Sequence, residues 1–211
     1  MSLRVVFMGT PDFARTSLSG LLESGHQVAM AVTQPDRKQG RGEKLASCEV
    51  KCFAQANNIP VIQPERIREK QWVDILKGAG AEVFVTCAYG QILPREILSI
   101  PRLGCINVHA SLLPKYRGAA PISHAIINGE KETGVTTMMT DAGMDTGDIL
   151  LQEKVDIPED MDAGALHDLL KHKGAGLLLK TLDALEKGTL VKISQENGKA
   201  TYAPLLKRED G

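Results

Sequence analysis

The sequence predicts an α/β fold, a doubly wound and mostly parallel sheet formed as one domain over residues 1–206, and three observations predict it. Short apolar runs that suit strands covered on both faces alternate with amphipathic helical patterns along most of the chain. The chain opens as strand, tight turn and helix: an apolar run over residues 3–8, then Gly9-Thr10-Pro11-Asp12, then Phe13, Leu18, Leu21 and Leu22 at helical spacing up to Gly25. A later buried run, Gly104-Cys105-Ile106-Asn107-Val108-His109, ends in two polar side chains, and ligands of open α/β sheets bind at the carboxyl ends of their strands.

The elements follow in order. Residues 27–33 read as a second strand, and residues 34–44 as a polar loop without an apolar anchor, expected to be disordered in the free protein. A helix over 48–57 stops at Asn58-Ile59-Pro60, and Val61-Ile62 is a short strand. An amphipathic helix over 66–77 carries the only tryptophan, Trp72, and ends at Gly78-Ala79-Gly80. The strand over 82–88 runs into a loop with apolar residues, Tyr89-Gly90-Gln91-Ile92-Leu93-Pro94, and a short helical turn over 95–100 follows. A helix over 119–128 is closed by Gly129. Two β-runs, 133–140 and 149–155, flank a glycine-punctuated acidic loop and predict an antiparallel hairpin. A long helix over 162–186 stops at Gly188, and 191–194 and 201–203 read as two short terminal strands. Residues 207–211 trail off without a core pattern.

Composition narrows the function classes. The chain has 211 residues, 43% of them hydrophobic, so it can build a core without staples. A net charge of −1 excludes a globally basic nucleic-acid binder and leaves room for a local basic patch. The four cysteines, Cys48, Cys52, Cys87 and Cys105, lack paired C-x-x-C spacing, so neither a zinc site nor a disulfide framework is indicated. No stretch approaches a membrane span and no signal segment is present, so a cytoplasmic protein without a membrane partner is expected. A monomer is expected as well, with no residue pattern in the sequence that itself fixes the oligomeric state.

Three stretches carry candidate chemistry. Asn107 and His109 are two apart on a strand and point to the same side of its pleat. An isolated N-x-H can simply satisfy loop backbone groups, but Leu112 and Leu113 in the polar loop beyond it read as one wall of an apolar slot. The loop over 34–44 is either a surface excursion or a phosphate-binding loop using Arg37, Lys38, Arg41 and Lys44, with Gly40 and Gly42 letting its backbone adapt. The acidic loop places Asp141, Asp145 and Asp148 at D-x-x-x-D-x-x-D spacing, which lacks the further oxygen ligands of a calcium loop, so acid–base or positioning work is expected and no metal. His124, His167 and His172 read as structural or surface residues.

Taken together, Gly9-Thr10-Pro11-Asp12-Phe13-Ala14, Gln34-Pro35-Asp36-Arg37 with Gly40-Arg41-Gly42, Asn107-x-His109-x-Ser111-Leu112-Leu113-Pro114 with Arg117-Gly118, and Gly143-Met144-Asp145-Thr146-Gly147-Asp148 resemble the methionyl-tRNA formyltransferases within the folate-dependent formyltransferase family. The resemblance spans residues 3–206. It implies a Rossmann-like sheet with 10-formyltetrahydrofolate as co-substrate and charged initiator tRNA as acceptor. It implies Asn107, His109 and Asp145 as the catalytic trio. For folate it implies Ser111, Leu112, Leu113, Pro114, Tyr89, Gly90, Gln91, Ile92, Leu93 and Asp141, and for tRNA it implies Arg37, Lys38, Arg41 and Lys44. Ala110 stands where the family has glycine and Met144 where it has leucine, both mild departures. The family also resembles a two-domain enzyme, so residues 207–211 are expected to be a tail or the start of a linker to a β-barrel domain absent from this chain.

The implied chemistry suits the residues. Formyl transfer from N10 of the folate to an amine passes through a tetrahedral intermediate, which needs donors at the developing oxyanion and a route for the amine's proton. Asn107 and His109 can supply donors, and Asp145 can hold the imidazole in a useful state. The rivals are a glycinamide ribonucleotide formyltransferase, which should carry a glycine-rich phosphate loop at Gly9 to Asp12, a sugar-nucleotide formyltransferase, and a non-catalytic folate-binding module.

Overall fold

A computed structural model describes residues 2–39 and 44–207. The chain forms two compact units, Met1–Asn107 and Val108–Gly211.

In the first unit five strands pair in parallel: β1 (Arg4–Gly9), β2 (Gln27–Val32), β5 (Val61–Ile62), β6 (Val83–Cys87) and the start of β7 (Cys105–His109), in the order β5-β2-β1-β6-β7. The order reverses between β1 and β6, which makes their carboxyl ends the switch point of the sheet. β1 and β6 are buried almost throughout because helices cover both faces. Val6, Met8 and Phe84 pack with Val73 and Leu76 of α3 (Lys70–Gly78) and Ile97 of α4 (Arg95–Leu98). The alternate residues face the other way, where Ser17 of α1 (Asp12–Glu23) approaches the Cys87 thiol at 3.8 Å. α1 packs in turn on α2 (Glu49–Ala56). Gly9 allows the close turn at the head of α1: a Cβ there would lie 2.6 Å from the Ala14 methyl and 2.8 Å from the Cys87 carbonyl oxygen.

The second unit holds the expected antiparallel hairpin of β8 (Glu132–Met139) and β9 (Ile149–Asp156). α6 (Ala163–Glu186) packs on both strands and on α5 (Pro121–Ile127). Asp162 caps α6 by accepting from the Ala165 N–H at 2.7 Å, and Leu166, Leu170, Leu177, Leu178 and Leu182 form its buried stripe.

Three expectations are corrected. The polar loop read over residues 34–44 holds regular structure at both ends, since β3 (Arg37–Gln39) and β4 (Lys44–Ala46) pair as an antiparallel ladder, while 40–43, with Gly40 and Gly42, lie outside the described residues. Residues 66–69 precede α3 as turns, and the helix starts at Lys70. The two terminal strands reduce to single bridges, Ile193 to Ile149 and Tyr202 to Arg117, because Val191, Ile193 and Tyr202 stay exposed and find no continuous partner strand among the described residues.

Candidate active site

Each unit contributes separately. In the first, the Thr86 hydroxyl at the end of β6 donates to Asn107 Oδ1 at 2.9 Å. That bond turns the Asn107 amide so that Nδ2, which has no protein acceptor among the described residues, remains as a donor. The loop after β6 turns sharply through Ala88 (φ +45°) and Gly90 (φ +84°). Tyr89 is buried, its carbonyl accepts from Gln34 Nε2 at 3.0 Å, and burial pushes its phenol above the ordinary value. Gln91 bridges the loop to the stretch that precedes α3, its Oε1 accepting from the Ile67 N–H and its Nε2 donating to the Pro64 carbonyl, both at 2.9 Å. Leu93 is buried, whereas Ile92 is 77% exposed. Burial also raises the Cys87 and Cys105 thiols to about 12, so neither is a nucleophile at neutral pH.

In the second unit His109 is 6% exposed, and its Nε2 lies 2.8 Å from the Tyr116 carbonyl oxygen. A carbonyl only accepts, so Nε2 carries the proton and Nδ1 is the free position. Nδ1 faces Asp145 Oδ2 at 3.7 Å, beyond a direct hydrogen bond. The tautomer is therefore set by Tyr116, and the carboxylate stands ready to offset charge on the ring. Asp145 adopts a left-handed φ of +53°, and its Oδ2 accepts from the Gly118 N–H at 2.8 Å. Asp141 is exposed and accepts from the Gly143 N–H at 3.0 Å and the Thr146 hydroxyl at 2.7 Å, and Asp148 accepts from Ser194 at 3.0 Å.

The residues after His109 divide by role. Ser111 is fully buried and donates to the Lys115 carbonyl at 2.6 Å. Leu113 packs in a small core with Met138 and Ile149. Leu112 and Pro114 line a groove of about 500 Å³ with Tyr116 and Thr133, rimmed by Glu130, Glu132, Lys115 and Lys199. Of the four basic candidates, Arg37 is exposed on β3, Lys38 and Lys44 lie in the β3–β4 ladder, and Arg41 lies outside the described residues. The ladder is rooted at Asp36, which accepts from Lys51 Nζ at 2.5 Å and Gln63 Nε2 at 2.9 Å and is held below the usual carboxylate range by the Lys51 and Gln63 hydrogen bonds. His124 lies 3.0 Å from the Pro204 carbonyl, a structural contact as expected, and His172 is exposed.

Residues 3–182 match the family model described as formyl transferase. The chain belongs to the formyl transferase family. Within it, this formyltransferase sits with the methionyl-tRNA formyltransferases: it is 54% identical over 209 residues to the methionyl-tRNA formyltransferase of Acetivibrio thermocellus, covering 99% of this chain and 67% of that one. The chain thus spans about two thirds of that relative's length. Two solved structures share the fold. A sugar 3N-formyl transferase, solved with dTDP and 5-N-formyl-THF, superposes with a TM-score of 0.74 at 24% identity over 100% of this chain and 71% of that one. The phosphoribosylglycinamide formyltransferase of Anaplasma phagocytophilum superposes with a TM-score of 0.77 at 18% identity over 98% and 100%. Among the described residues no helix is long and apolar enough to cross a membrane.

Four contacts escaped the sequence: Thr86 on Asn107, the Tyr116 carbonyl on His109, and Gln195 and Arg117 behind Asp145. Only Arg117 carried a signal, as part of the Arg117-Gly118 pair. The others are main-chain or single polar contacts without periodicity.

Proposed function

We propose that this formyltransferase moves the formyl group of 10-formyltetrahydrofolate to the α-amino group of methionyl initiator tRNA, for translation initiation in the cytoplasm, acting as a monomer without a metal. The identity to the Acetivibrio enzyme along nearly the whole chain carries the choice of acceptor. The roles follow from each residue's surroundings. The amine attacks the formyl carbon, the new C–N bond forms, and the carbonyl oxygen becomes an oxyanion to which Asn107 Nδ2 donates. His109 takes the amine's proton on Nδ1, because Nε2 is committed to Tyr116. Asp145 offsets the imidazolium that results, from 3.7 Å. The oxyanion then collapses, the bond to N10 breaks, and N10 takes the proton held on His109 Nδ1, which restores the neutral imidazole.

Folate contacts are assigned to Tyr89, Gly90, Gln91, Ile92 and Leu93, to Ser111, Leu112, Leu113 and Pro114, and to Asp141; among these Gln91 and Ser111 act through the loops they brace. Arg37, Lys38, Arg41 and Lys44 are assigned to tRNA phosphates, on a ladder rooted at Asp36. The test is a transfer assay from 10-formyltetrahydrofolate with charged initiator tRNA, glycinamide ribonucleotide and an amino-sugar nucleotide offered side by side. Formylation of the tRNA alone is expected, with kcat lowered about 10²–10⁴-fold in His109→Ala. Transfer to either small acceptor in preference to tRNA overturns the acceptor assignment.

A further inference from the structure

Asp145 is gripped from a part of the chain that the proposed mechanism does not use. The tail after α6 carries Gln195, whose Nε2 donates to the Asp145 carbonyl at 2.9 Å and to the Gly147 carbonyl at 2.7 Å. Its Oε1 accepts from Arg117 Nε at 3.1 Å and Nη2 at 2.8 Å, so both ends of the carboxamide are saturated. The orientation is forced, because a guanidinium only donates and a carbonyl only accepts. Arg117 is 2% exposed, and Nη2 also donates to Asn197 Oδ1 at 3.0 Å. The main chain of Arg117 is bonded to the same tail, its N–H to the Thr201 carbonyl at 2.9 Å and its carbonyl to the Ala203 N–H at 2.8 Å. The next residue, Gly118, supplies the N–H that holds the Asp145 carboxylate. Asp145 is thus held at its carboxylate and at its carbonyl by groups that both lead back to Arg117. It needs such holding, because a non-glycine residue at φ +53° in a loop whose first four residues are exposed pays for its conformation in strain.

We propose that Gln195 is a positioning residue for formyl transfer: it fixes the left-handed turn at Asp145 and thereby the carboxylate opposite His109 Nδ1. This rests on the role given to Asp145 above. The substitution that separates positioning from mere support is Gln195→Glu. It keeps the shape and gives the buried guanidinium an anionic partner, yet it replaces the N–H donor with an oxygen facing two carbonyls.

The experiment measures kcat, KM for both substrates and Tm for Gln195→Glu, Gln195→Met, Asp145→Asn and the Asp145→Asn/Gln195→Glu pair. Expected for Gln195→Glu is a kcat lower by about 10-fold or more with both KM values and Tm near the parent's, as displacement of a reacting group produces. Gln195→Met, which removes every bond, is expected to lower Tm as well as kcat. In the Asp145→Asn background the Glu substitution is expected to add no further loss, since both changes remove one contribution. Parental kcat in Gln195→Glu overturns the inference, as does a kcat that merely follows Tm in the two variants or a loss that adds fully to that of Asp145→Asn. Parental kcat in Asp145→Asn itself is a separate result: it removes the catalytic reading of Asp145, and the inference falls with it.

Discussion

Two loops follow strand ends and are assigned to one reaction, yet they are held by opposite means. Residues 88–93, after β6, are anchored by volume: Tyr89 and Leu93 are buried in the core of their unit, and the amides of Gln34 and Gln91 tie the chain to its neighbours. Residues 141–148, after β8, have their first four residues exposed and are anchored by single polar atoms: the Asp141 carboxylate on Gly143 and Thr146, Gly118 on Asp145, and Gln195 on two carbonyls. A surface anchored by volume tolerates a change of charge nearby but loses free energy when atoms are removed. A loop anchored by hydrogen bonds carries little of the fold's stability and loses geometry when one bond changes. The first arrangement suits a wall that receives a flat ligand, and the second suits a carboxylate that must stand at one distance from an imidazole.

The sharpest way to break this contrast is Gly147→Ala. A Cβ at Gly147 would lie 1.9 Å from the Met139 carbonyl oxygen, so backbone must move, and the loop, whose first four residues are exposed, is expected to yield before the paired strand β8. A displacement of about 1 Å at a reacting group costs roughly 100-fold in rate, so kcat is expected to fall about that far while Tm drops only a few degrees. A Tm loss large enough to explain the rate would show that this loop is built into the core after all.

The mirror experiment is Leu93→Ala. Leu93 is 4% exposed within the core cluster, and truncating such a leucine costs about 2–5 kcal/mol. Urea unfolding is expected to show that loss, with kcat at 25 °C changed less than in Gly147→Ala because Gln91 and Gln34 still fix the main chain. A larger effect on kcat than on stability would show that Leu93 serves the site mainly through its assigned folate contact and not through the core it fills.

The same division explains what could be read in advance. β1, β6 and β7 are legible because burial on both faces forces unbroken apolar runs, and the hairpin is legible because β-branched residues flank a glycine-rich turn. Asn107 and His109 emerge from the period of a strand, and Asp145 from its motif. The β3–β4 ladder was hidden because its strands are three residues each and four of the six residues, Arg37, Lys38, Gln39 and Lys44, are polar, which leaves no alternating pattern. Val191 and Ile193 misled in the other direction, being β-branched yet exposed. The hold of Gln195 on Asp145 joins residues 50 apart through one carboxamide, and no local signal marks it. The Tyr116 carbonyl that sets the His109 tautomer is main chain, identical in every residue type, so only the fold reveals it.

The smallest expected effect carries the opposite sign and tests the volume-anchored loop at one atom. The Tyr89 hydroxyl is buried and has no hydrogen-bond partner among the described residues. Burying such a group unpaired costs about 1–3 kcal/mol, whereas the ring around it contributes burial that phenylalanine reproduces. Tyr89→Phe is therefore expected to raise stability by about 1 kcal/mol in urea unfolding. The folate KM should stay within about twofold, because the Tyr89 main chain is held through its carbonyl by Gln34 Nε2 and the substitution leaves that bond in place. Unchanged stability would mean that the hydroxyl has a partner in solution. A raised folate KM with raised stability would instead make the hydroxyl a ligand contact, kept at the expense of the fold, and would move Tyr89 from the wall of the site into its chemistry.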